Sequence, residues 1–270
     1  MTSTTSPATS WTGMVPVEDT ALAVTDTGGT GVPVLYLNGQ FATQGYWRRV
    51  VAELGPASFR HITFDERARG RRSGTSTDYS FEAAVRDVDA VLAARGVEGA
   101  LLVGWSYGAV VAAHWAARRP GRALGAVLVD GAFPDDWLDD AMEQRIRTLF
   151  RRIAWLRPVL RPLGLVPRMT AAQQAESNIE LGRLSRRSEL GPVLEALTVP
   201  TRYVVASGTS FGSRGDEQER IRAGLDDVIA GHPHVRVSAK VTSNHGAILR
   251  KDAPAVARAV REVSGATPPS

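Results

Sequence analysis

One serine in this sequence stands at a spacing typical of a nucleophile. Residues Gly104–Gly108 form a G-x-S-x-G pentapeptide centred on Ser106. An apolar run, Ala100–Val103, precedes it, and a stretch of small residues, Ala109–Arg118, follows. These runs predict a buried strand and a helix, the context in which the pentapeptide makes a sharp turn that exposes the serine. Ser106 would then lie at a helix N-terminus, where backbone N–H groups favour negative charge.

A serine hydroxyl needs a base before it can attack, and His245 is the best candidate for this base. It lies in the turn Ser243–Gly246, after a predicted strand, Val235–Val241, and before the last predicted helix, Pro254–Val263. In a doubly wound sheet this turn shares an edge with the turn at Ser106. The other histidines begin a predicted strand, lie inside a predicted helix or flank a proline: His61, His114, His232 and His234.

Short apolar runs alternate with helical patterns along most of the 270 residues, which predicts an α/β domain with a doubly wound, mostly parallel sheet. This alternation of strands and helices stops after the sixth predicted strand, where an Arg- and Pro-rich helical stretch predicts an inserted cap. We therefore expect a disordered N-terminus (1–12), a first core segment (13–133), a helical cap (134–195), a second core segment (196–264) and a disordered tail (265–270).

The Ser106 pentapeptide, the Asn38–Gly39 turn, the stretch Phe64–Gly70 and the His245 loop resemble the α/β-hydrolase superfamily over nearly the whole chain. The resemblance implies an oxyanion hole made by backbone N–H groups of Tyr107 and of the turn Gly39–Gln40. The Gln40 side chain either adds an amide donor or is only a polar loop residue. Most relatives have histidine where this sequence has Asn38, so any role of that histidine side chain is not carried over.

The resemblance also implies a carboxylate that orients His245, and two aspartates are candidates. Many family members carry this acid in the loop after the penultimate strand, but here Gly208–Phe211 holds no acid and the first is Asp216. Dehalogenases and the fungal hydrolases that open the lactone of zearalenone place it directly after the strand that follows the nucleophile's helix, where this sequence has Asp130. We favour Asp130 over Asp216. Dehalogenases use an aspartate nucleophile, so Ser106 argues against their chemistry.

These residues predict a serine hydrolase that cleaves a carboxylic ester or lactone through an acyl-enzyme on Ser106. We expect an apolar, medium-sized substrate, since apolar side chains are available to line a pocket. Peptidase, thioesterase, carbon–carbon hydrolase and perhydrolase chemistry stay open as alternatives, as does a non-catalytic small-molecule receptor. The predicted lining consists of Phe41, Trp105, Phe133, Trp137, Leu138, Met142 and Trp155.

The amino-acid composition limits which cofactors and partners the protein can have. The chain has no cysteine, which excludes disulfides and thiolate metal sites, and we expect neither a metal nor another cofactor. No basic face interleaved with stacking aromatics predicts nucleic-acid binding. No apolar run approaches the roughly 18 residues that would span a bilayer, and the polar start lacks the pattern of a secretory signal. We therefore expect a cytoplasmic protein with a small-molecule substrate, and a homodimer stays open.

Overall fold

The computed structural model describes residues 9–160, 166–208 and 224–265. Its centre is one sheet of eight strands in the order β1-β2-β4-β3-β5-β6-β7-β8. Strand β2 pairs antiparallel with β1 and with β4, and every other neighbouring pair is parallel. The predicted mostly parallel, doubly wound sheet is therefore confirmed. The strands are β1 Trp11–Val17, β2 Thr20–Asp26, β3 Val32–Leu37, β4 Phe59–Asp65, β5 Ala100–Trp105, β6 Ala123–Val129, β7 Thr201–Ala206 and β8 Val235–Val241.

Helices cover both faces of the sheet. Helices α2 (Phe81–Ala94) and α3 (Tyr107–Arg118) pack on one face, and the buried residues of α2 include Val85, Val88, Val91 and Leu92. The other face is covered by a 3-10 turn at Gln44–Trp47 and by the helices α1 Arg48–Leu54, α9 Ile248–Lys251 and α10 Ala253–Ser264. Because each central strand is buried on both sides, its sequence is continuously apolar rather than alternating.

The chain between β6 and β7 adds helices but, in its described residues, no strand. Its helices are α4 Asp140–Ile153, α5 Arg157–Leu160, α6 Ala171–Leu184 and α7 Arg187–Glu195. Helices α4 and α6 are joined by the buried Glu143, which binds Arg147 of its own helix at 3.2 Å and Arg183 of α6 at 2.8 Å. We call the chain from 134 to 195 the insert. A further helix, α8, spans residues 224–231.

Two predicted boundaries differ from the structure. Strand β1 begins at Trp11, inside the segment expected to be disordered, because residues 11–17 pair with β2 in register. The insert begins with non-helical residues, and its first helix starts at Asp140, where the Asp139 side chain accepts a hydrogen bond from the Met142 backbone N–H. Asp216, the alternative candidate for the acid, lies outside the described residues.

A buried polar junction joins the ends of β3 and β4. The Asn38 side chain donates to the Phe64 carbonyl at 2.7 Å and to Glu66 Oε2 at 2.9 Å, and it accepts from Trp47 Nε1 at 2.8 Å. The Asn38 backbone N–H donates to Glu66 Oε1 at 3.0 Å. Desolvation raises the pKa of Glu66 to about 7, although the Asn38 bonds and the Arg69 charge oppose this shift. The junction fixes the turn that begins at Asn38.

Helix α3 lies so close to β3 that only glycine fits at position 108. A Cβ there would come 2.1 Å from the Leu37 carbonyl oxygen, whereas a Cβ on Gly121, just after the helix, would meet nothing within 4 Å. Neither glycine has a positive φ. We expect Gly108→Ala to lower the free energy of unfolding by about 2 kcal/mol because the helix must shift, and Gly121→Ala to change it by less than about 1 kcal/mol. Thermal or denaturant unfolding measures both, and equal effects would contradict the close contact.

The raised pKa of Glu66 gives a second prediction. Between pH 4.5 and 7 an unfolded chain ionises this carboxyl while the folded chain keeps it protonated, so wild-type stability falls as pH rises through this window. Glu66→Gln removes the effect, and the difference in unfolding free energy between variant and wild type should shift in favour of the variant by up to about 3 kcal/mol. Glu98→Gln, at an exposed position, controls for the lost charge. Parallel pH profiles for wild type and Glu66→Gln would contradict the prediction.

Candidate active site

Ser106 occupies a strained turn between β5 and α3. Its φ of 57° and ψ of −118° are rare for a side-chain-bearing residue. Glycines surround it because the backbone is crowded: a Cβ on Gly104 would lie 2.1 Å from the Gly108 carbonyl oxygen, and one on Gly131 would lie 2.4 Å from the Ser106 carbonyl oxygen. Such strain persists only where packing enforces it. Ser106 is therefore held, partly exposed, at the N-terminus of α3.

Asp130 and His245 form a hydrogen-bonded pair. His245 Nδ1 lies 2.8 Å from Asp130 Oδ2, although 115 residues separate the two in sequence. The other carboxylate oxygen, Oδ1, accepts a hydrogen bond from the Ala206 backbone N–H at 3.0 Å. The Asp130 side chain is 3% exposed and that of His245 is 35% exposed. A carboxylate held in this way favours the tautomer with hydrogen on Nδ1, which leaves Nε2 able to accept a proton.

Backbone and ring contacts bring this pair beside Ser106. The Ser106 N–H donates to the Val129 carbonyl at 3.0 Å, one residue before Asp130. The ring of Trp105 lies 5.3 Å from the His245 ring, centroid to centroid. Within the residues that the structure describes, the Ser106 side chain makes no hydrogen bond. Catalytic hydrogen bonds are often long before substrate binds. Ser106, Asp130 and His245 thus share the carboxyl edge of the sheet.

The three residues predicted for the oxyanion hole line one cavity: Gly39, Gln40 and Tyr107. Tyr107 is the first residue of α3, so its backbone N–H has no acceptor within the helix. The Gln40 side chain is buried and donates from Nε2 to Ser177 Oγ in α6 at 3.0 Å. Its amide therefore joins the turn to the insert, and the Gln40 backbone N–H is a second group that can serve an oxyanion.

The residues predicted to line a substrate pocket are dispersed. Trp105 is buried on the α10 face of the sheet, where its ring stacks on Tyr46 at 5.6 Å. Phe133 is buried on the α3 face and stacks on Tyr203 at 5.9 Å. Phe41 is exposed at the turn after β3. Two of the predicted residues thus contribute to the core on opposite faces.

The predicted lining residues of the insert are also apart from the cavity beside Tyr107. Trp137 and Leu138 pack against Gly182 of α6, and Met142 is partly buried on α4. Trp155 is 73% exposed. None of the seven predicted lining residues contacts the cavity that Gly39, Gln40 and Tyr107 share. That these seven residues line a substrate pocket therefore stays a prediction.

Sequence reasoning missed the charged residues of this cavity. Besides the oxyanion candidates, the cavity is lined by Glu66, Arg67, Arg69 and Asp87, and by Met169 and Ser177 from the insert. The stretch Phe64–Gly70 supported the resemblance, but no site role was inferred for its charged residues. Their position could have indicated a site role, because Glu66 follows directly on β4 at the carboxyl edge of the sheet, where ligands of such folds bind.

Neither a metal site nor a membrane span is found in the described part of the chain. No group of three or more His, Cys, Asp or Glu side chains there is arranged to hold a metal ion. None of the helices described is long and apolar enough to cross a bilayer.

Comparisons with known proteins agree with this architecture. A family model described as "alpha/beta hydrolase fold" matches residues 32–157. A haloalkane dehalogenase of Mesorhizobium japonicum is 31% identical over 140 residues, which are 52% of this chain and 45% of the dehalogenase. The chain spans less than half the length of the first curated relatives that it matches.

Solved structures match over almost the whole chain. The esterase of Exiguobacterium antarcticum superposes with a TM-score of 0.70 at 18% identity, over 93% of this chain and 98% of the esterase. A thermophilic esterase of Thermogutta terrifontis gives a TM-score of 0.68 at 20% identity, over 94% of this chain and 97% of the esterase. Likeness at such identities concerns the fold alone. The chain therefore has the α/β-hydrolase fold.

Proposed function

We propose that this protein is a serine hydrolase that cleaves a carboxylic ester or lactone of an apolar, medium-sized substrate. The observation that carries the proposal is the 2.8 Å bond between Asp130 and His245 beside the strained turn of Ser106. A buried carboxylate, an imidazole and a partly exposed hydroxyl at one sheet edge are the groups that acyl transfer through serine requires.

The reaction follows from these groups. Ser106 Oγ attacks the substrate carbonyl carbon while His245 Nε2 takes the hydroxyl proton. The backbone N–H groups of Gln40 and Tyr107 stabilise the negative charge on the carbonyl oxygen. The tetrahedral intermediate collapses, His245 returns the proton to the leaving alcohol, and an acyl ester on Ser106 remains. Water activated by His245 then hydrolyses this ester. In a lactone the leaving alcohol stays attached to the acyl group.

The names of the relatives are compatible with more than one reaction. The Mesorhizobium relative is a haloalkane dehalogenase, and the structural neighbours include esterases. In the dehalogenases that this sequence resembles, the nucleophile is an aspartate carboxylate. Ser106 offers an alcohol instead, which needs a base to lose its proton and suits attack on an acyl carbon. This difference favours ester cleavage over dehalogenation.

The insert is proposed to act as a cap over the site. Its α6 accepts the hydrogen bond from Gln40 through Ser177, and the Arg168 backbone N–H donates to the Ala68 carbonyl at 2.9 Å. Met169 lines the cavity beside Tyr107. Since these contacts join the insert to the loops after β3 and β4, movement of the insert would open or close that cavity.

Covalent labelling tests the nucleophile. A fluorophosphonate probe should label the wild type once per chain, at Ser106, because only an activated serine reacts at a useful rate. Ser106→Ala should abolish labelling, and Ser207→Ala, at an exposed serine, should leave it unchanged. Intact mass and peptide mapping provide the measurement. A folded wild type that resists the probe would favour the alternative of a non-catalytic receptor.

Substitution of the two candidate acids tests the role of Asp130. Asp130→Asn should lower kcat on an aryl ester by about 10⁴-fold, because an amide cannot hold the imidazole in the required tautomer. Asp216→Asn is the matched control and should stay within a few-fold of wild type. Steady-state kinetics on the two variants, with unfolding curves to check that both fold, gives the comparison. If Asp216→Asn lost its activity while Asp130→Asn kept it, the orienting acid would be Asp216 and not Asp130.

A further inference from the structure

The cavity beside the proposed oxyanion hole is small, and charged side chains form part of its lining. The volume open to the centre of a water molecule is about 40 Å³, and one water needs roughly 10–15 Å³ by this measure. The cavity therefore accommodates about three waters or a group the size of a carboxylate, but not a whole apolar substrate. Gly39, Gln40 and Tyr107 form one side of it. Gly39 also adjoins the proposed nucleophile, because a Cβ on Gly39 would lie 3.4 Å from Ser106 Cβ.

Arg69 is the cation of this cavity without a matching anion. Its side chain is 8% exposed, and none of the described carboxylates lies within 4.0 Å of it. Its hydrogen bond is to the sulfur of Met169 at 3.1 Å, and its guanidinium lies 5.4 Å from the ring centroid of Phe41. A thioether is a weak acceptor, and guanidinium has five N–H donors. Burial of a charge with so few protein partners is costly unless water or a ligand group in the cavity accepts from its remaining donors.

Arg67 lines the same cavity, but its guanidinium is paired with other residues of the fold. Its guanidinium binds Asp87 at 2.8 Å and Glu18 at 2.9 Å, and it also donates to Ser76 Oγ and to the Asp78 carbonyl at 3.1 Å each. These partners occupy its donors. The two arginines are two residues apart in sequence and equally well buried, so the lack of partners at Arg69 is not a general property of this loop.

Glu66 is the remaining carboxylate of the cavity, and it does not neutralise Arg69 by contact. Both of its oxygens accept hydrogen bonds from Asn38, and burial raises its pKa to about 7. Below about pH 7 the protonated, uncharged form of Glu66 predominates. Because Arg67 and Asp87 compensate each other, the cavity has a net positive charge at Arg69 under those conditions. Tyr107, whose pKa burial also raises, stays neutral and keeps its hydroxyl hydrogen.

We propose that Arg69 binds a carboxylate of the substrate, so that the ester cleaved at Ser106 carries a free acid group within a few bonds of its carbonyl. This inference rests on the proposed function and refines its substrate class. The sequence alone predicts an apolar substrate. The structure adds one buried cation in the cavity beside the oxyanion turn.

Matched substrates test the proposal. The 4-nitrophenyl half-esters of dicarboxylic acids with five to eight carbons carry a terminal carboxylate, and the corresponding terminal amides are neutral and of equal size. Wild type should show a higher kcat/KM for at least one acid than for its amide. Arg69→Gln should reduce this acid-to-amide ratio by about 10- to 100-fold, the usual size of a charge-assisted hydrogen bond. Arg69→Lys should retain a large part of it.

The matched control is Arg72→Gln, which removes an exposed arginine from the same loop and should leave the ratio at its wild-type value. Equal kcat/KM values of the wild type for acids and amides would overturn the proposal while the hydrolase function stands. An acid-to-amide ratio of kcat/KM that is the same in wild type and Arg69→Gln would also overturn the proposal and leave the hydrolase function standing.

A binding measurement separates the two proposals if no ester is cleaved. Ser106→Ala can be titrated calorimetrically with the monomethyl half-esters of the same acids and with their amides. We expect the acid to bind at least about 10-fold more tightly than the amide, and Arg69→Gln in the same background to remove the difference. Arg69-dependent binding in a protein that cleaves no ester would leave the acid site standing and remove the hydrolase proposal. Equal affinities would overturn the acid site.

Discussion

The backbone crowding around Ser106 is the constraint on which the rest of the site depends. Gly104, Gly108 and Gly131 each lie so close to a neighbouring carbonyl that a Cβ would collide with it. This crowding keeps Ser106 at a positive φ and sets the distances between β3, β5, β6 and the start of α3. A displaced helix would move the hydroxyl, the Tyr107 N–H and the turn after β3 together, because all three meet at these contacts.

Asp130 extends this constraint across the sheet. It follows β6, accepts a hydrogen bond from the end of β7 at Ala206 and holds His245 in the loop after β8. Three consecutive parallel strands therefore determine the position of one imidazole. Parallel strands place their carboxyl ends at one edge, so residues far apart in sequence meet there. The buried carboxylate has charged or polar partners on both oxygens, as a buried ion requires.

The loop after β4 shows how neighbouring charges take different roles. Arg67 is paired with carboxylates of the β1–β2 turn and of α2, donates to a hydroxyl and a carbonyl of the loop before α2, and stabilises the fold. Glu66 accepts two hydrogen bonds from Asn38 and so fixes the turn that carries the candidate oxyanion-hole residues. Arg69 lines a cavity that Met169 of the insert also lines, and it donates to the Met169 sulfur. Fold, oxyanion turn and proposed substrate recognition are therefore connected through one short segment.

The sequence by itself determined the sheet, its helical layers and the turn at Ser106. Those features depend on local patterns that can be recognised in the sequence, namely apolar runs such as Ala100–Val103 and glycines at fixed spacing. Only the tertiary structure decided that Asp130 meets His245, that the Gln40 side chain is bound by Ser177, and that Trp155 is exposed. It also decided that Arg67 is paired while Arg69 is not. These outcomes depend on hydrogen bonds and packing between residues up to 137 positions apart, and no local pattern encodes which of two similar side chains will find a distant partner.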